Sequence, residues 1–203
     1  MKKLLYLCIL NFSFLIQGSQ RPPHKGRVHV SDAFQAAYDG SMVNWTTCKI
    51  RKALDEKFDG EGNTLLHWVY DEQVAQAVIS VTSPNEFKAL LKHHNNRGNT
   101  PIHEICHRRH PKLLRYMLMR AKQHKISHIV NSQNQEFGDT PLHVAAAHGN
   151  VEMGEVLRQY GANTSLTNFK SRRRRPETAQ DTAARLEYRK FESMLANTPK
   201  KEV

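Results

Sequence analysis

Three segments of this chain repeat one pattern: Gly62-Asn-Thr-Leu-Leu-His67, Gly98-Asn-Thr-Pro-Ile-His103 and Gly138-Asp-Thr-Pro-Leu-His143. Their threonines, Thr64, Thr100 and Thr140, lie 36 and 40 residues apart. Self-similarity at that period marks a stacked array, in which each small unit buries its apolar face only against its neighbours. Such a stack has no built-in pocket, so function is expected on the faces it presents.

The third copy is the fullest. Thr140 is placed to cap a helix start, with Pro141 at the first helical position, where a missing N–H costs nothing. Leu142, Ala145 and Ala146 form an apolar stripe, and the alanines admit a close neighbour. Gly149 and Gly161 read as helix stops. Val151, Met153, Val156 and Leu157 give a second helix its buried side. Gly161-Ala-Asn163 then makes a turn. The unit resembles an ankyrin repeat, whose pattern is Gly-x-Thr-Pro-Leu-His-x-Ala-Ala-x-x-Gly, a second helix and a Gly-Ala-Asp/Asn turn. The resemblance implies an all-α ankyrin-repeat solenoid of stacked helix-turn-helix pairs with short hairpin loops.

The other copies are more worn. After Gly98, Cys106 takes the place of the second alanine and Arg109-His110 stands where the family has its glycine; Pro111 to Arg120 follow as the second helix. After Gly62, Val69 and Tyr70 replace both alanines, and Val74, Ala77 and Val78 begin the outer helix. Residues 84–92 read as an additional helix and residues 121–133 as an insertion. Ala36-Ala37-Tyr-Asp-Gly40 and Thr178-Ala-Gln-Asp-Thr-Ala183 are fainter flanking copies, the first followed by a long helix from Met42 to Phe58. About five helix pairs are therefore expected over residues 31–197, with atypical units at both ends.

Residues 1–18 read as a secretory signal peptide: Lys2-Lys3, an apolar run from Leu4 to Ile16, then small residues near a cut after Gly18 or Ser19. An uncleaved anchor and a buried helix are the other readings. Residues 19–30 form a basic linker and residues 198–203 a tail. The expected location is exported, periplasmic or secreted, and the style of the signal suggests a bacterial-type ankyrin protein. Asn44-Trp-Thr46 and Asn163-Thr-Ser165 match the glycosylation acceptor pattern, which matters only in a eukaryotic secretory path. The net charge is +11, and removal of Lys2 and Lys3 leaves 11 − 2 = +9. That excess favours a protein partner with an acidic surface. Cys48 and Cys106, alone in the mature chain, make no disulfide framework, and Cys106 reads as a packed core thiol.

His103-Glu-Ile-Cys-His107 fits H-E-x-x-H, the pattern of a zinc hydrolase. Yet His103 is the histidine of the repeated motif, matched by His67 and His143, and the resemblance implies that it ties a turn to its neighbour. No metal and no cofactor are expected. Arg172 to Arg175 extend a hairpin tip between the third copy and the last. They could grip acidic protein, phosphate or nucleic acid, act as a nuclear signal, or stand solvated. Aromatic residues do not interleave them, which disfavours single-stranded nucleic acid.

The resemblance also places a partner surface on the inner helices and hairpin tips. By register it holds Trp68, Asp71, Glu104, His107, Arg108 and His148, with Glu61, Asn63, Arg97, Asn99 and Asp139 at the tips. Trp68 is the expected hot spot and Arg108 its charged companion. The alternative is that Trp68 completes the core. The function expected is non-catalytic protein binding, with no small-molecule substrate. The alternatives are polyanion binding through Arg172, Arg173, Arg174 and Arg175, or zinc hydrolysis at His103, Glu104 and His107.

Overall fold

The computed structural model describes residues 32–55, 59–169 and 175–196. The expected signal, basic linker and tail lie outside those residues. Among the described residues the regular structure is helical. Helices α1 (Asp32–Tyr38) and α2 (Thr47–Asp55) make the first pair, and α3 (Leu65–Trp68) and α4 (Glu72–Ser80) the second. The additional helix α5 (Pro84–Lys92) follows. Then come α6 (Pro101–Arg108) with α7 (Pro111–Gln123), α8 (Pro141–Ala147) with α9 (Val151–Gln159), and α10 (Ala179–Arg185) with α11 (Arg189–Ala196). The inner helices α1, α3, α6, α8 and α10 stack in that order, and the outer helices α2, α4, α7, α9 and α11 form a second row. The fold is the expected all-α solenoid.

The apolar stripes meet in one continuous core. Leu66, Ile102, Ile105, Ala145 and Ala146 from the inner row face Val74, Leu114, Met117, Met153 and Leu157 from the outer row, all buried. Cys106 lies among them, and burial pushes its thiol well above the usual range. Helix α5 earns its place with Phe87 and Leu91, which are fully covered, and its start is fixed by a capping box between Ser83 and Glu86. Close approach has a sequence cause at Gly154: a Cβ there would lie 2.4 Å from Met194 Cε and 2.8 Å from the Phe191 ring, so α11 packs tightly on α9.

Two details differ from the sequence reading. The expected helix from Met42 to Phe58 is broken: a 3-10 turn, Ser41–Asn44, ends at Trp45 in extended backbone before α2 begins. Met42 plugs the core from that turn, and Val43, Asn44, Trp45 and Thr46, all poor helix formers, disfavour continuation of the helix. Residues 121–133 are not a bare insertion either. Helix α7 runs through them to Gln123, and a 3-10 turn at Ser127–Asn131 buries Ile129 and Val130.

Candidate partner-binding groove

The concave face is built by two side-chain relays that hold the hairpin tips on the inner helices. In the first, the motif histidine uses both ring nitrogens. His103 Nδ1 accepts from the N–H and O–H of Thr100 at 3.2 and 2.8 Å, so the proton sits on Nε2 and donates to the Asp139 carbonyl at 2.9 Å. His67 repeats this with Thr64 and the Asn99 carbonyl at 3.0 Å, and His143 with Thr140 and the Glu177 carbonyl at 2.9 Å. Each histidine thus caps its own helix and pins the next loop. Burial holds His67 and His103 at about 4, so both are neutral at physiological pH.

The second relay is a row of buried asparagines. Asn95 Nδ2 donates to Asn63 Oδ1 at 2.8 Å, and Asn134 Nδ2 donates to Asn99 Oδ1 at 3.2 Å. Sequence reasoning assigned Asn63 and Asn99 to the exposed tips, and the structure buries both. The missed signal was Asp59, Asn95, Asn134 and Asn168, which recur in step with the repeats and each turn the chain into its tip. The tips also join through backbone bonds, Asn96 N–H to Glu61 and Gln135 N–H to Gly98. At Gly98, with φ of +73°, a Cβ would sit 2.8 Å from the Gln135 amide nitrogen, so glycine is demanded by conformation and space together.

Between tips and inner helices lies a groove of about 790 Å³, lined by Tyr38, Trp68, Tyr70, Phe137 and Val144 with charged groups around them. Trp68 is half-buried: its indole N–H donates to Asp59 Oδ2 at 2.7 Å and its ring meets Tyr38 edge-on at 5.9 Å. It therefore lines the groove and also packs on the core. Arg108 lies over the Trp68 ring at 5.8 Å, as the pairing expected, but its guanidinium donates to the carbonyls of His67 and Val69. The reason is local. Helix α3 stops after four residues, where Val69 leaves helical backbone at ψ of 126°, and Arg108 supplies donors to the carbonyls left behind.

The remaining sequence-derived residues divide between scaffold and surface. Asp71 caps α4 through the Val74 N–H at 2.8 Å. Glu104 accepts from Asn95 and Asn99 side chains at 3.2 and 3.0 Å, and the Asn99 bond and nearby Arg108 hold its carboxyl below the ordinary value against its burial. His107 and His148 meet across α6 and α8, with Nδ1 and Nε2 3.4 Å apart. Arg175 is exposed, whereas Arg172, Arg173 and Arg174 lie outside the described residues. The base of that hairpin is firm, with Asn168 N–H donating to the Glu177 carbonyl at 2.9 Å. The zinc pattern has a different use here. Both nitrogens of His103 are committed to protein groups, and His107 is paired with His148.

The groove lining carries no net positive charge. It holds Glu61, Glu104, Glu136 and Asp139 against Arg97, Arg108 and Arg109, and Arg97 is paired to Glu61 at 3.2 Å. The described residues hold 18 Lys and Arg against 17 Asp and Glu, so 12 of the 30 basic residues, with only 2 of the 19 acidic ones, fall outside them.

Paired short helices, glycine-turned tips and a histidine tying each unit to the next define a helical repeat array. Residues 74–168 match the family model for ankyrin repeats in three copies, so this part of the chain is built of ankyrin repeats. Among curated proteins it is similar to the SMC5-SMC6 complex localization factor protein 1 of Homo sapiens, 29% identical over 118 residues. It is also similar to Inversin of Homo sapiens, 27% identical over 117 residues. These alignments cover 58% and 55% of the chain and 10% of each relative, so the chain spans about a tenth of the length of the curated relatives it matches. Among the described residues no helix is long and apolar enough to cross a membrane.

Proposed function

We propose that the protein binds another protein, without catalysis, in the concave groove between its tips and inner helices. The observation that carries this reading is the aromatic floor of the groove: Tyr38, Trp68 and Tyr70 in edge and tilted contact, with Phe137, 49% exposed, across from them. Aromatic side chains on a prefixed scaffold supply contact area at low entropic cost. Of the mapped residues, Trp68, Glu104, His107 and His148 are those a partner would touch. Arg108 and Asp71 would act by holding the groove in shape. We propose further that the chain works after export, its first residues serving as a signal peptide; amino-terminal sequencing of the protein recovered from its native host tests this, and an intact Met1 would refute it.

The test of the groove is capture from the native host with wild type, Trp68→Ala and Phe137→Arg, read by quantitative mass spectrometry. A protein enriched by wild type and lost with both variants, at unchanged circular dichroism, supports the reading. Equal enrichment by all three overturns it. Arg108→Glu is a poor probe of binding, because it removes two donors from the end of α3.

A second reading has its own observation. The basic excess lies in residues outside the described ones, among them Lys170 and Arg172 to Arg174. Polyanion binding there predicts retention on heparin that collapses with added salt and flattens when Arg172 to Arg175 become serine.

A further inference from the structure

At the rim of the groove three cation-capable side chains stand in line. Arg109 Nη2 lies 3.3 Å from His148 Nδ1, and His148 Nε2 lies 3.4 Å from His107 Nδ1. Chemistry fixes the direction of this chain. A guanidinium only donates, so His148 Nδ1 accepts; a neutral imidazole then carries its proton on Nε2, which donates to His107 Nδ1. His107 in turn has its proton on Nε2, the one ring nitrogen for which no partner is recorded among the described residues. His107 and Arg109 are exposed and both line the groove.

The backbone beneath carries a second sign. Arg109 adopts φ of +61° at the end of α6, the left-handed position that Gly149, at +60°, fills one repeat later. Arginine is strained there where glycine is not. The fold does not need its side chain: the carbonyls of Ile105 and Cys106 that close α6 are satisfied by the backbone N–H groups of His110 and Arg109.

We propose that Arg109, His148 and His107 form a recognition site for a carboxylate side chain on the bound partner. The inference rests on the groove reading above and gives it chemistry and polarity. In the half of the groove beside α8, the carboxylate bonds the His107 Nε2–H and the free edge of Arg109. In the half beside α1 and α3, Glu61 and Glu104 meet the opposite charge. The groups facing the site are Glu104 and Asp139, which favour charge on His107, and Arg97 and Arg108, which oppose it. His148 faces His107 and Arg109, which both oppose its charge. Desolvation by the surrounding groove is the leading cause that lowers both rings, although an edge of His107 reaches solvent, so the site is neutral at its histidines. A carboxylate on His107 Nε2–H favours a second proton on that ring; His107 Nδ1 then donates to His148 Nε2, His148 moves its proton to Nδ1 and releases Arg109 Nη2 to the carboxylate, and binding tightens as pH falls.

The full chain, labelled with nitrogen-15, is titrated with a hexaglutamate peptide, a hexaglutamine peptide and inorganic phosphate. The histidine ring resonances and the Trp68 indole N–H are followed. The expected result is that hexaglutamate alone moves the His107 and His148 rings and raises the His107 midpoint, with affinity improving at least threefold from pH 7.5 to 6. His148→Phe and Arg109→Gly lower that affinity at least fivefold, whereas Lys190→Gln leaves it unchanged. Arg109→Gly also raises the melting temperature, so binding and stability move in opposite directions, which a purely structural arginine would not allow. Hexaglutamate that moves Trp68 but neither histidine overturns this inference and leaves the groove reading intact. Phosphate acting as well as hexaglutamate overturns the carboxylate assignment. Loss of native partner with Trp68→Ala but not with His148→Phe likewise sinks the inference alone.

Discussion

The histidine of each Thr-x-x-His motif is a buried polar side chain with every nitrogen spoken for. Replacing His103 by alanine removes two cap bonds and the link to Asp139; it leaves the Thr100 N–H and O–H without that partner in a fully buried place, while the Asp139 carbonyl keeps only its bond from the Asn134 N–H. At about 1 to 3 kcal/mol for each stranded buried group, the expected loss is about 3 kcal/mol, measured by urea unfolding. Arg109→Gly acts in the other direction. It relieves a left-handed arginine and should add about 1 kcal/mol by the same measurement. The zinc-like spelling of residues 103–107 shows why residue scale alone misleads: in sequence His103 is half of a metal motif, and only the loop that follows supplies the carbonyl claiming its Nε2.

At the scale of elements, the three Thr-Pro/Leu-x-His helices were legible because cap, proline and apolar spacing agree. The asparagine relay was not. Its partners are 32 and 35 residues apart, and an asparagine before a turn reads the same whether it faces water or a neighbouring asparagine. Nor was the role of Arg108 legible, since it depends on α3 stopping early one repeat upstream. The place of Trp68 lies between core and groove, because a ring that packs on Tyr38 at one edge still lines the groove. Helix α5 offers a prediction at this scale. Phe87 is its main anchor beneath α3 and α6, so Phe87→Ala should cost about 3 to 5 kcal/mol. Hydrogen exchange should show α5 opening before the rest of the array.

For the whole molecule, the relays make stability depend on pH. His67 and His103 titrate at about 4 when folded, against an ordinary value of 6.5. The unfolded chain therefore binds more protons between those limits. The stabilisation is complete above pH 6.5 and is lost as pH falls toward 4, with a slope of about 2 kcal/mol per pH unit near pH 5. Urea midpoints measured from pH 7.5 to 4.5 check this, and a flat profile would contradict it. His103→Gln should shallow the slope by about half.

The relay also has a direction, because every histidine reaches toward the loop that comes after it. In the last pair the corresponding residue is Asp181, whose carboxylate accepts from Thr178 at 2.9 and 2.8 Å and has no proton to offer outward. Helix α10 keeps its own cap but extends no hand to a further loop, so the clasp that fastens one rung to the next is absent from the fifth.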